Sequence, residues 1–394
     1  MSKKLTLIIA MLLLLSSSVA FGNGLSLNSI GAKALGMGGA FVGLANDASA
    51  IYWNPAGLSG QQCGVMLFLT DVIPSATYKM DAASIDAEAK SNHYISPNVF
   101  ATHSRGKLTF GLGLYVPAGL GAEWDKKDFG AEMMSKIGVF NISPAVAYQI
   151  NEKFSVGATI NIFYGMMEMK RGETTGQYSE ELSGTGFGGS IGLKFNATEQ
   201  LSFGLTYKTP VKVGFEGDAE MGMDIKVKRD IEWPTWIGFG TAYAVSENWV
   251  LTLDGQWSDW ATSEEELVTE MTGDFMMTGT DITMKDTTEM KWESALQVRV
   301  GTEYKLNENL VLRGGYYYDP APAPDETLNI LFPSMTNHAF SGGLGYTMNK
   351  MVFNLGLEYL LGAEREIEVN ATNEMPGKHQ MSIFAFSLGF GYNF

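Results

Sequence analysis

The residue types most often used in catalysis are scattered along this chain, and their spacing argues against an enzyme. His93, His103, His338 and His379 lie far apart and show no metal-ligand spacing. No nucleophile–base arrangement or G-x-S-x-G elbow stands out. Cys63 is the only cysteine, so it cannot form an internal disulfide. We therefore predict no catalytic residues, no metal site and no cofactor.

Four other ionisable residues fall on the polar faces of predicted strands: Arg299, Glu303, Arg313 and Glu358. Charge is costly in lipid, so these side chains should face the lumen of a membrane barrel rather than its outer surface. We expect the two arginines to pair with the two acids. The alternative is that an arginine binds the carboxylate of a ligand.

Strands with one apolar and one small or polar face must position these residues. The clearest spans residues 154–166, and the same period of two recurs at 201–208, 296–305 and 351–361. A tilted strand of about 9–11 residues crosses a membrane. Hydrophobic residues reach 45% of the chain without a long apolar run beyond the N-terminus. This combination predicts an all-β, antiparallel transmembrane β-barrel.

Short and long connections alternate along the chain and join about 14 strands, an even number as in outer-membrane barrels. The predicted short turns are at 104–106, 151–153, 196–200, 246–248, 307–309 and 349–350. The predicted long polar connections are at 81–90, 117–136, 172–183, 216–229, 262–289, 319–333 and 368–377. Short periplasmic turns and long outer loops would place both termini in the periplasm.

The two ends of the chain indicate export to an outer membrane. Lys3 and Lys4 precede an apolar run and then small residues, which predicts a signal peptide over residues 1–22. Large apolar residues occupy every second position of the last strand up to Phe394, an ending typical of barrels inserted by the outer-membrane assembly machinery. The net charge of −16 argues against nucleic acid as a partner. We predict a multi-pass protein of the outer membrane of a Gram-negative bacterium.

Residues 23–61 differ from the period-two region 62–394, because they are rich in Gly and Ala and do not alternate. They contain GAKALGMGGAFVGLANDASAIYWNPAGL (31–58), and YVPAGLGAEW (115–124) and FNISPAVAY (140–148) follow. Together these stretches resemble the FadL/TodX family of outer-membrane transporters for long-chain fatty acids and aromatic hydrocarbons. The resemblance covers essentially the whole mature chain.

The resemblance implies a 14-stranded barrel whose lumen holds residues 23–61 as an N-terminal plug, or hatch. It also implies that outer loops capture a hydrophobic ligand, which leaves sideways through a gap beside a kinked third strand after the plug rearranges. The plug residues expected to take part, with the Asn-Pro-Ala segment beside the gap, are Asn54, Pro55, Ala56, Asp47 and Ser49. The candidate substrate contacts are Leu25, Leu27, Leu120, Trp124, Phe129 and Met133.

Two other functions remain open on the sequence, a general diffusion porin and a structural barrel that transports nothing. The expected partners are hydrophobic small molecules, outer-membrane lipid with lipopolysaccharide, and the assembly machinery through Phe394. We expect a monomer.

Overall fold

The computed structural model describes residues 24–173, 176–263, 265–369 and 375–394, with the backbone alone at Leu120. The predicted signal peptide, residues 1–22, lies outside the described residues. One antiparallel sheet contains all the strands that the described ranges form. It closes on itself because β20 (Gly377–Asn393) pairs with β1 (Gly64–Met80) along their length, from Gly64 opposite Asn393 to Lys79 opposite Lys378.

The remaining strands are β2 (Ile85–Glu88), β3 (Tyr94–Arg105), β4 (Leu108–Trp124), β5 (Met133–Gln149), β6 (Phe154–Glu173), β7 (Gly176–Asn196), β8 (Leu201–Lys208), β9 (Val211–Glu220), β10 (Asp224–Trp233), β11 (Trp236–Ser246), β12 (Trp249–Ser258), β13 (Glu266–Gly273), β14 (Ile282–Glu289), β15 (Ala295–Lys305), β16 (Leu310–Asp319), β17 (Asn337–Met348), β18 (Met351–Gly362) and β19 (Arg365–Ile367). The helices are α1 (Ala32–Gly36), α2 (Ala50–Trp53), α3 (Lys126–Phe129) and α4 (Trp260–Ser263), with 3-10 turns at Pro55–Leu58 and Asp81–Ala83.

In the described part of the chain these strands occupy 14 positions around the barrel, as predicted. Several positions are built from two consecutive pieces, such as β8 and β9, which both pair with β7. The third position is β4. All six predicted short turns are present as short connections between consecutive strands.

Side chains alternate between the outside and the inside of the wall. In β15, Leu296 and Val300 are 48% and 42% exposed, whereas Gln297 and Arg299 are 2% and 1% exposed. The same alternation holds in β6, where Ile160 is exposed and Asn161 is buried. The exposed apolar face is the lipid face, which confirms the prediction that apolar side chains point outward and polar ones into the lumen. No helix of the described ranges is long and apolar enough to cross a membrane.

The predicted long loops are wrong at several places, because the strands continue outward beyond the apolar band. Residues 172–183 and 216–229 lie almost entirely in the hairpins β6–β7 and β9–β10, and 117–136 lies largely in β4 and β5. These outward parts carry charge on the exposed face, where Lys228 pairs with Glu216 across the hairpin at 3.0 Å. In these outward parts the charged face is exposed and apolar residues such as Val213 and Ile225 are buried, the reverse of the segments that face lipid. The exposed charges led us to interpret them as polar loops.

Candidate functional site: a filled lumen and an opening in the wall

Residues 24–61 fill the interior of the barrel. Small residues permit this, because without large side chains the backbone of the segment can approach the backbone of the wall. Gly36 packs on Gly343 of β17, and Gly43 packs on Gly240 of β11, where a Cβ on either would overlap the opposing chain. Most apolar side chains of the segment are fully buried, including Trp53, whose indole N–H donates to the Ile30 carbonyl at 2.9 Å. The lumen therefore offers no open bore at this level.

Asn54 fixes the segment to the wall. Its side-chain NH₂ donates to the carbonyls of Val42 (3.1 Å) and Leu193 of β7 (3.0 Å), and its Oδ1 accepts from the backbone N–H of Ala56 (3.1 Å). Asn54 is extended (φ −160°), as expected before Pro55, and the 3-10 turn begins at the proline.

The wall is shaped to receive this turn. Gly157, Gly192 and Gly204, on β6, β7 and β8, lie so close to it that a Cβ on any of them would overlap Asn54, Pro55 or the backbone beside them. The Asn-Pro-Ala segment thus contacts β6–β8 directly. Tyr52, just before it, reaches β4, with its ring 5.7 Å from that of Tyr115. Ile51 also lies against β4, at Gly111 and Gly113.

Asp47 and Ser49 form a local turn that starts α2. The Asp47 carboxylate accepts from the backbone N–H of Ser49 at 2.9 Å and from its hydroxyl at 2.5 Å. Gln61 was not singled out from the sequence, yet its amide donates to the carbonyls of Asp47 (2.9 Å) and Gly57 (2.8 Å) and so closes the end of the segment. Nothing in the local pattern distinguishes this glutamine from an exposed one.

The lumen charges bind the plug segment to the wall. Arg313 donates to Glu303 at 2.7 Å, as expected, and Lys33 of α1 also binds Glu303 at 3.0 Å. The expected pairing of Arg299 with Glu303 or Glu358 is wrong, because the described residues show no ion pair between Arg299 and either acid. Arg299 instead donates to the Gly38 carbonyl (2.9 Å) and to Gln297 (2.7 Å).

These two outcomes have one physical cause. A buried guanidinium needs acceptors for several N–H groups, and backbone carbonyls of the plug segment supply them as well as carboxylates do. The Arg299 guanidinium also stacks on Tyr317 at 4.1 Å. Glu358 accepts from the hydroxyl of Ser29, at 3.0 Å, another plug residue. Sequence alternation placed these groups inside but carried no information on the plug partners.

The wall is open beside the third barrel position. β3 and β4 pair only from Arg105 opposite Leu108 to Val99 opposite Leu114, and the β4 register shifts between Tyr115 and Ala118. The chains meet again at the outer end, where Lys90 N donates to Glu123 O at 2.8 Å. We call the opening between residues 94–98 of β3 and 115–122 of β4 the wall window.

The plug segment replaces β3 as the neighbour of β4 along the wall window. Leu27 N donates to the Pro117 carbonyl at 2.9 Å, and Gly119 N donates to the Leu25 carbonyl at 3.1 Å. Unpaired backbone groups are costly at the depth of the membrane, so this pairing allows β4 to leave β3 without that cost. The gap beside the third strand that the resemblance implied is therefore present as a break in the pairing of β3 with β4.

A cavity of about 400 Å³ lies behind the wall window. Its inner part is lined by Leu27, Asn28, Ser29 and Leu35 of the plug segment, and its outer edge by Ile95 and Phe140, which also face lipid. The cavity thus connects the lumen with the lipid side of the wall.

The candidate substrate contacts divide into two groups. Leu27 lines this cavity, and Leu25 joins a large apolar cluster farther out that also includes Trp124. Phe129 packs edge-on against Trp124 with ring centroids 5.9 Å apart, and Met133 is half-buried at the same cluster. The side chain of Leu120 lies outside what the structure describes.

The connection between β16 and β17 closes the outer end of the barrel. The sequence predicted the connection but not this role. It was expected to be a polar loop, yet Leu328, Ile330 and Met335 are buried in the outer apolar cluster. Its Ile330 carbonyl accepts from the Trp124 indole N–H at 3.1 Å. The hydrophobic run around Ile330 was a signal for this, masked by the prolines and acids before it.

A closed antiparallel barrel with an apolar outer surface and a filled lumen is a transmembrane protein of the outer membrane. The family model described as outer membrane protein transport protein (OMPP1/FadL/TodX) matches residues 13–394. The chain belongs to this family.

Individual relatives are distant in sequence but cover nearly the whole chain. The long-chain fatty acid transport protein of Escherichia coli K12 is 21% identical over 98% of this chain and 97% of its own length. Outer membrane protein P1 of Haemophilus influenzae is 20% identical, over 91% and 93%.

Two solved structures share the fold. A Pseudomonas aeruginosa FadL homologue has a TM-score of 0.81 at 16% identity, covering 94% of this chain and 100% of that chain. The Pseudomonas putida toluene transporter TodX has a TM-score of 0.74 at 17% identity, with the same coverage.

Proposed function

We propose that this protein is a passive channel that takes up hydrophobic compounds, long-chain fatty acids or hydrocarbons, across the outer membrane. The observation that carries the proposal is the cavity behind the wall window, which joins a filled lumen to the lipid side of the barrel. Relatives and structural neighbours named for fatty acid or toluene transport support it.

The path would run from the outer apolar cluster past Trp124, Phe129 and Met133 into the cavity, and then sideways through the wall window. A hydrophobic solute gains about 0.8 kcal/mol per CH₂ on entering the bilayer, so the protein needs no energy source. The barrier that it removes is the charged outer leaflet. Rearrangement of Leu25 and Leu27, which pair with β4 at the wall window, would open the inner part of the path.

The proposal assigns roles along the chain: a signal peptide at 1–22, a plug at 23–61 and a barrel at 62–394. In it, Asn54, Pro55, Ala56, Asp47 and Ser49 hold the plug in place, and no residue is catalytic. The partners beyond the solute are outer-membrane lipid with lipopolysaccharide and the assembly machinery through Phe394, and the protein acts as a monomer.

Obstructing the wall window tests the proposal. A Cβ at Gly138, which lines the cavity, would meet nothing within 4 Å among the described atoms, so Gly138→Phe should be accommodated and fill the opening. Gly255→Phe is the matched control, because a Cβ there meets only Leu296 at 4.0 Å, and Gly255 does not line the cavity. Uptake of radiolabelled palmitate and toluene by cells should fall severalfold in the first variant and stay unchanged in the second.

Two outcomes favour the other functions. A large steady ion current in planar bilayers would indicate a general diffusion porin. Equal uptake by wild-type and deletion strains, with no conductance, would indicate a structural barrel.

A further inference from the structure

Resting on the proposed function and narrowing its range of fatty acids and hydrocarbons, we propose that the inner end of this cavity selects uncharged hydrophobic compounds that carry a hydrogen-bond donor, such as a long-chain alcohol or a phenol. A carboxylate of the same chain length is disfavoured there. The inference stands on the kind of charge at the two ends of the cavity and on the hydrogen-bond acceptors at its inner end.

Two carboxylates, Asp319 and Glu358, line the inner end of the cavity. Both oxygens of Asp319 accept hydrogen bonds, Oδ1 from Gln297 (2.5 Å) and Oδ2 from Asn28 (2.9 Å), which is the pattern of an ionised group. Glu358 accepts from Ser29. An anionic head group entering here would approach two acids.

Arg299, the cation near these acids, is not available to neutralise the carboxylate of a ligand. Arg299 does not line the cavity, whereas Asp319 and Glu358 do. The hydrogen bonds described above already direct its guanidinium to Gly38 and Gln297, and its Nη2 also donates to Asn28 at 3.3 Å. A ligand carboxylate would have to displace plug contacts before it could bind this group.

Asn337 adds an acceptor to the same end. Its NH₂ donates to Asp319 (3.3 Å) and to the Met335 carbonyl (2.9 Å), and these two acceptors fix the orientation of the amide. Its Oδ1 is buried and has no hydrogen-bond partner among the described residues. The oxygen has almost no accessible surface, so a ligand hydroxyl would reach it only if the amide turned toward the cavity. A carboxylate, which only accepts, would not satisfy it in any orientation.

The lysine on the cavity lies at the other end. Lys136 is half-exposed at the outer edge of the cavity and lies 3.5 Å from Glu168. Between the two ends the lining is largely apolar, with Leu35, Val72 and Leu360 among its residues. An alkyl chain therefore fits along the cavity with a hydroxyl at the acidic end, while an anion is attracted only to the rim.

Competition binding to the purified full-length protein tests the inference. Protein immobilised in mild detergent would be loaded with tritiated 1-dodecanol and titrated at pH 8 with unlabelled 1-dodecanol, dodecanoate or dodecyl methyl ether. We expect dodecanol to compete at about tenfold lower concentration than dodecanoate, which corresponds to about 1.4 kcal/mol. The ether, which has no donor, should be intermediate.

Two variants locate the effect. Asp319→Asn combined with Glu358→Gln should narrow the difference in competition between alcohol and carboxylate. Glu216→Gln combined with Asp218→Asn, an equal loss of charge on an exposed outer hairpin, should leave that difference unchanged. Heat-modifiable migration on gels checks that each barrel is folded.

The outcomes separate the two proposals. Dodecanoate competing as well as dodecanol in the wild type would overturn the inference and leave the uptake function standing. Ether binding as tight as alcohol would overturn the requirement for a donor. If none of the three compounds bound, the proposed function itself would fail.

Discussion

The ring of Tyr94 lies against the backbone of Gly121, across the wall window from the strand that carries it. A Cβ at position 121 would overlap the Cζ and Oη atoms of Tyr94. The side chain of β3 thus spans the opening where the backbones of β3 and β4 no longer pair, and its ring occupies part of the exit.

Removing this ring should widen the exit. Tyr94→Ala is expected to raise the uptake rate of bulky hydrophobic solutes severalfold, because the wall window loses the side chain that crosses it. Tyr94→Phe retains the ring and should behave as the wild type. The measurement is initial uptake of a solute series of increasing width, and equal rates for Tyr94→Ala and Tyr94→Phe would show that the ring does not limit passage.

Asn54 should hold the plug rather than the barrel. Asn54→Ala leaves the carbonyls of Val42 and Leu193 without their donor, at a cost of about 1–3 kcal/mol for buried groups. We expect a folded barrel with a looser plug, seen as transient ion conductance in planar bilayers and altered uptake of hydrophobic solutes.

Ser59→Ala is the control for this change. Ser59 follows the same 3-10 turn, and its hydroxyl has no hydrogen-bond partner among the described residues. It should therefore conduct as little as the wild type. Silent bilayers with Asn54→Ala would remove the asparagine from the anchoring of the plug.

The fold was predictable wherever lipid imposed one apolar face, and less so elsewhere. β6 could be assigned over residues 154–166 from alternation. β10 alternates as well, but its exposed face carries Lys226 and Lys228, which pair with acids of β9 in water, and so it resembled a polar loop. The lumen location of Arg299 followed from the same alternation.

The hydrogen-bond partners of these side chains could not be predicted from the sequence. The Gly38 carbonyl accepts from Arg299, 261 positions away, and the Ile330 carbonyl accepts from Trp124, 206 positions away. Neither contact leaves a mark in the spacing of residues along the chain. In the local sequence, Pro117 was the only indication of the wall window. The loss of pairing between β3 and β4 depends on the plug segment that replaces β3, which is distant along the chain.

The outer hairpin β13–β14 should respond to acid through Asp274. Backbone N–H groups of Thr278 and Gly279 donate to its carboxylate at 2.8 and 2.5 Å, and these bonds hold the pKa of Asp274 below its usual value. A lowered pKa means that the bonds stabilise the turn at neutral pH and are lost as the pH falls through that lowered value. Met276 and Met277, 70% and 88% exposed, lie within this turn.

Nuclear magnetic resonance can follow this turn directly. The amide resonances of Thr278 and Gly279 should titrate with a midpoint below the usual aspartate value of about 3.9. Asp274→Asn should abolish the titration. A midpoint at or above that value would mean that the two hydrogen bonds do not persist in solution.

Glu303 should couple the plug to the wall through its two cations. Glu303→Gln leaves Lys33 and Arg313 in the lumen without their shared carboxylate, and breaking such a pair costs about 3 kcal/mol. Lys33→Met in the same background should cost less than it does alone, because the positive charge it removes has already lost its partner. Unfolding by urea in lipid vesicles gives the four free energies of this cycle.

The exposed pair of Glu216 and Lys228 provides the comparison, and the same cycle there should show no measurable coupling because water screens it. Additive costs for Lys33 and Glu303 would mean that water in the lumen screens this pair as well, and that the plug is held by its hydrogen bonds alone.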